Sequence, residues 1–221
     1  MSTGGDRACY CYVSINLTCE GRKADIISIG AIDPDGDTFY AELYDYSKKG
    51  VDPDVVQNTI MHLIGDDDHF KTITGNHIDV REKFLTWLYD HYQPKDRVIQ
   101  IVMDKVCWDW PILKEFLLGG GTEFPSWISS YVVDLNTELA KVIVVDKRDI
   151  DNVIRGVGNY KNFVPTIIVS KEVERVETAE SIGNLDGNIM LAHNSNALKK
   201  AMCIRSIHQS IWGFDAGGQT K

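Results

Sequence analysis

From Tyr10 to Leu17 β-branched and aromatic residues alternate, and Asp25–Ile32 is almost wholly apolar at its centre. With Gly21 between them, these runs predict two strands joined by a turn. Asp33-Pro34-Asp35-Gly36 is a strong turn signal, so Thr38–Tyr44 is expected to return antiparallel as a third strand. Val98–Met103 is a continuous apolar run, which predicts a strand buried on both faces at the sheet centre.

The period then changes from 2 to 3.6. Asp52-Pro53 marks a helix start, with an N-cap acid and proline at the first helical position. That helix is expected to reach about Ile64, with Val56, Ile60 and Leu63/Ile64 on one face. A second follows Asn76, placing Val80, Phe84, Trp87 and Leu88 together, and Pro94 ends it. A third is expected from about Pro111 to Leu118, stopped by glycines 119–121. Asp134 caps a short helix, Leu135–Lys141. Asn196–Trp212 places Ala197, Ala201, Ile204, Ile207 and Ile211 on one face. Residues 142–190 carry two β-like runs (Val142–Val145 and Phe163–Ser170) among mixed charges, and read as an insertion. The chain is therefore expected to be one α/β domain over residues 8–214, with flexible tails at 1–7 and 215–221.

At 221 residues, 43% hydrophobic and 25% charged, the composition is that of a globular chain with a sizeable core. No apolar run approaches the roughly 20 residues that span a bilayer, so no membrane partner is expected. The five cysteines form no zinc spacing, and their odd number and scatter predict reduced thiols in an intracellular, cytoplasmic setting. A net charge of −9 argues against broad phosphate binding, which needs clustered Lys and Arg.

Three segments carry candidate chemistry. VSINLTCEGRKADIISIGAI (Val13–Ile32) holds Asn16 and Thr18 on one strand face; CWDWPIL (Cys107–Leu113) holds Asp109; SNALKKA (Ser195–Ala201) holds Lys200 on a helix. In order and spacing they resemble the motifs of the DnaQ-like (DEDD) 3′–5′ exonucleases. DGDTFYAEL (Asp35–Leu43), VDPDVVQNTI (Val51–Ile60) and DLNTEL (Asp134–Leu139) are similar to a subgroup of small exoribonuclease-like proteins of bacteria and phages. The resemblance covers roughly residues 10–141 and 190–212. It implies a ribonuclease H-like fold: three antiparallel strands, then a buried strand, with helices on both faces.

The same resemblance implies a site of four carboxylates holding two divalent ions, at positions 16, 18, 109 and 200. Here those positions read Asn16, Thr18, Asp109 and Lys200, with Ser195 where the family's histidine belongs. Asn16 and Thr18 offer neutral oxygens, and Lys200 cancels the one charge that Asp109 keeps. Magnesium wants charged oxygen ligands, so no metal cofactor is expected. Mg or Mn enters only if the site is rearranged, with Asp109 and Glu20 as residual ligands and Asp104 nearby. His193 is an alternative proton carrier, though a lone histidine before a helix is more often a capping or surface residue. Asp109 reads equally as a helix cap. An ion pair between Lys200 and Asp109 is expected to fill the space vacated by metal.

Trp108, Trp110, Trp127 and Tyr131 cluster around the second motif, where exposed rings would stack on bases and buried ones would pack the core. Lys199, Lys200 and Arg205, with Arg22 and Lys23, are the basic candidates for a groove. The expected function is a degenerate exonuclease-like module that binds RNA, DNA or a protein partner. The alternatives are an active metal-dependent 3′–5′ exonuclease with a rearranged site, and a structural subunit of a larger complex.

Overall fold

The computed structural model describes residues 9–19, 21, 23–60, 63, 71–92, 98–138 and 196–212. Strands β1 (Cys9–Leu17), β2 (Ile26–Ile32) and β3 (Thr38–Leu43) form an antiparallel meander, as the alternation and the Asp-Pro-Asp-Gly turn require. Beyond them lie β4 (Thr72–Gly75), β5 (Ile99–Met103) and β6 (Ile128–Asp134). The six strands run in the order β4-β3-β2-β1-β5-β6, with β4 parallel to β3, β5 parallel to β1 and β6 parallel to β5.

Helices cover both faces. α2 (His77–Tyr92) and α3 (Val106–Leu118) bury Val80, Phe84, Leu88, Leu113, Phe116 and Leu117 against Val13, Ile15, Ile29 and Ile101. On the opposite face, α4 (Ala197–Trp212) packs Ala201, Ile204 and Ile207 on Tyr12, Ile32 and Val102. Burial of both faces is why β2 and β5 read as unbroken apolar runs. At Gly30, on β2, a Cβ would lie 2.1 Å from the Leu198 amide nitrogen, so only glycine admits the first turn of α4 there. Asn196 caps that turn, its Oδ1 accepting from the Leu198 and Lys199 amides at 2.8 and 3.2 Å.

Four expectations need correction. α1 covers only Pro53–Asn58, and Val56 is exposed rather than on a buried face. Asp52 does cap it, accepting from the Asp54 amide. α3 starts five residues earlier than Pro111, because the Lys105 carbonyl accepts from both Trp108 and Asp109 and winds a first turn. Pro111 then sits inside the helix and leaves the Cys107 carbonyl without its amide partner. Asp109 is thus a first-turn residue, not the cap. Finally, β4 and β6 have no counterpart in the hydrophobic pattern, and β6 moves β5 one place away from the sheet edge rather than to its centre. The segment 142–190 and both tails lie outside the described residues.

Candidate functional site

The carboxyl ends of β1, β5 and β6 open on a groove of about 910 Å³ between α1, α3 and the start of α4. Asn16, Asp109 and Lys200, far apart in sequence, all line it. Asn16 pairs with Ser28 across the β1–β2 ladder and donates from Nδ2 to Ser28 Oγ at 3.0 Å. That bond turns its carbonyl outward, where it accepts from the Lys200 ammonium at 3.0 Å. Gly30 makes the contact possible, since it lets α4 approach β2 closely enough for Lys200 to reach Asn16.

Thr18 is buried, but its hydroxyl accepts from the Asp25 amide at 3.0 Å and serves the turn between β1 and β2. Its carbonyl accepts from the Asp52 amide at 3.0 Å, which docks the start of α1 beside the groove. Asp109 is buried in the first turn of α3, where the helix dipole favours an acid.

The groove also holds Asp52, Asp54, Asp104 and Asp134, against Lys105 and Lys200 as cations. Asp104 follows β5 and Asp134 ends β6, so both stand at the carboxyl ends of parallel neighbours. In open α/β sheets that is where ligands bind. The pattern of strand ends, rather than any motif, is the signal for Asp134, which the sequence read only as a cap. It is a cap as well: Oδ1 accepts from the Asn136 amide and Oδ2 from the Thr137 hydroxyl. Asn136 in turn donates to the Asp104 carbonyl. None of Asn16, Asp104, Lys105, Asp109, Asn136 and Lys200 is without a partner.

Other candidates separate. Trp108 lines the groove and is 59% exposed. Trp110 is half-buried and stacks on Phe124 with ring centroids 5.9 Å apart. Trp127 packs on the core against Tyr89, and Tyr131 is exposed on β6. Lys199 does not line the groove, and Arg205 donates to the Pro34 carbonyl at 2.6 Å, at the β2–β3 turn. Lys23 lines a separate cleft of about 460 Å³ with His77 and Arg81. Glu20, Arg22, His193 and Ser195 lie outside the described residues.

A paired-cation centre needs several carboxylate oxygens aimed at one point. Among the described residues, the sole trio of metal-ligating side-chain atoms within 4.8 Å of one another is Asp33, Asp37 and His91, outside the groove. An ammonium about 4 Å from a divalent ion costs about 8 kcal/mol at an effective dielectric of 20. Among the described groove residues, no three metal-ligating side-chain atoms lie within 4.8 Å of one another, and Lys200 brings a cation among the aspartates.

No family model matches this sequence, and none of the curated proteins does. Solved structures do match in fold, two of them nucleases. One is the nuclease domain of 3′hExo, a DEDDh family member, bound to rAMP, at 12% identity and a TM-score of 0.56, covering all of this chain and 98% of that one. The other is cell-death related nuclease 4 (CRN-4), at 14% identity and a TM-score of 0.51, covering 92% of this chain. The chain spans 63% of the CRN-4 chain's length. The protein therefore has the ribonuclease H-like fold of the DEDDh exonuclease domains, as its motif order implied. Among the described residues, no helix is long and apolar enough to cross a membrane.

Proposed function

We propose that this chain is a non-hydrolytic exonuclease-like module that holds the end of a single-stranded nucleic acid in the groove. The observation that carries the reading is the Lys200–Asn16 contact at 3.0 Å, a cation bonded where the motif resemblance implies metal-ligating carboxylates. Without gathered negative oxygens no hydroxide is generated beside a phosphodiester, so the groove keeps shape and loses chemistry. In this reading Lys200 also neutralises Asp109.

Two groove features suit a nucleotide. Trp108 presents an exposed indole for stacking, and Lys105 and Lys200 supply charge for phosphate. The 3′hExo nuclease domain was solved with rAMP, a ligand of the size such a groove admits. The five groove aspartates hold the affinity low and restrict contact to one or two phosphates.

A labelled single strand incubated with Mg²⁺ or Mn²⁺ is expected to be retarded in a gel at low salt and to keep its length. Shortening that Asp109→Ala abolishes would establish an active nuclease instead. Absence of retardation, with a stoichiometric protein copurifying, would establish a scaffold role. The acidic groove and the net charge of −9 favour a basic partner segment in that case.

A further inference from the structure

The β2–β3 turn, at the far end of the sheet from the groove, gathers a second set of polar groups. Tyr12 pairs with Ile32, while Asn16 pairs with Ser28, so Asp33 stands roughly 16 Å along the strands from Asn16. Asp33 Oδ1 accepts from the Gly36 and Asp37 amides at 2.6 and 2.8 Å, which fixes the carboxylate plane. Its Oδ2 lies 2.7 Å from His91 Nε2, and Asp37 Oδ2 lies 3.1 Å from the same nitrogen.

That arrangement is unbalanced as a plain hydrogen bond. A single imidazole N–H faces two carboxylate oxygens, so even a protonated His91 leaves excess negative charge. Arg205 brings its charge to the same turn, where its Nη2 bonds the Pro34 carbonyl, but it forms no ion pair with either acid. His91 is itself held in place, stacked on Trp87 at 5.4 Å with the rings 11° from parallel. Both faces of the turn are therefore fastened, one by α2 and one by α4, the latter also through Gln209 to the Pro34 carbonyl at 3.2 Å.

We propose that Asp33, Asp37 and His91 bind one divalent cation of the Zn²⁺ class. One imidazole nitrogen and two carboxylate oxygens are a donor set for such an ion, with water completing a tetrahedron. Bonds of about 2.0–2.1 Å place tetrahedral ligands about 3.3 Å apart. The observed 2.7 and 3.1 Å need to open by about 0.6 and 0.2 Å to reach that tetrahedral spacing, and Asp37, 67% exposed, has room to move. The two backbone amides on Asp33 Oδ1 orient a ligand as an outer shell should. The ion would clamp the end of α2 to the turn, closing a loop of more than fifty residues between Asp37 and His91.

The test is calorimetric titration of the chelator-stripped full chain with Zn²⁺ alone, repeated for Asp37→Asn and His91→Gln. One tight site per chain is expected, weakened about tenfold or more in both variants. Thermal melts in chelator check that each variant folds like the parent, and Zn²⁺ should raise the midpoint of the parent alone. No saturable binding below about 1 mM would overturn the site. So would unchanged affinity in both variants, or a loss confined to one of them. Asp109→Asn is expected to leave the Zn²⁺ titration as it is; a loss there would move the cation to the groove and equally end the proposal. The outcome does not depend on what the groove binds.

Discussion

Lys200 is the residue on which the functional reading turns. Replacing it with methionine keeps the stem and removes the ammonium that Asn16 now accepts. For the Lys200→Met variant, affinity for a single strand should fall. The slope of log affinity against log salt should change from about −1.4 to about −0.7, since each phosphate contact on a single strand contributes about −0.7. A salt titration by fluorescence anisotropy reads both numbers. An unchanged slope would mean that Lys200 touches no phosphate. Trp108→Ala should cost about 1–3 kcal/mol of binding by loss of base stacking. It should leave the thermal midpoint near that of the parent, because the indole is 59% exposed. The identities of these side chains were plain in the sequence. Which of them share a groove was not: Trp110, one residue from Asp109, packs on Phe124, while Asp134 arrives from another strand.

At the level of elements, the groove depends on how closely α4 lies on β2. Gly30→Ala would place a methyl about 2 Å from backbone atoms of Leu198, which no side-chain rotation relieves. Overpacking costs about 1–3 kcal/mol where neighbours can shift, so a backbone clash should cost at least that much. Denaturant unfolding measures the stability, and strand binding should weaken in parallel, as Lys200 is carried away from Asn16. Elements with a long, regular period were legible: Val80, Phe84 and Leu88 announced α2, and the 3.6 repeat announced α4. Short ones were not. β4 has four residues, too few for a period, and α3 ran through Pro111 because the turn before it had already closed on Lys105.

At the scale of the whole molecule, one buried titration links stability to pH. His208 is buried on α4 beside Tyr10 and Tyr12, and its Nδ1 lies 3.3 Å from the Tyr12 hydroxyl. Desolvation lowers its pKa from 6.5 to about 4, with Glu138 opposing weakly. The unfolded chain therefore binds the extra proton first. Stability is complete above pH 6.5 and is lost as pH falls toward 4, with a ceiling of about 3 kcal/mol at 1.36 kcal/mol per pKa unit. Urea midpoints at pH 7.5 and 4.5 should differ more for the parent than for His208→Phe. Equal differences would remove His208 as the cause.

The amino-acid sequence alone determined the meander and the long helices, because local period and residue type are properties of neighbours along the chain. Only the tertiary structure decided that Thr18 serves a turn, that Lys200 bonds Asn16, and that Asp33, Asp37 and His91 converge. Each of these depends on a distance between segments that no local pattern encodes, set here by the packing of α2 and α4 on opposite faces of one sheet.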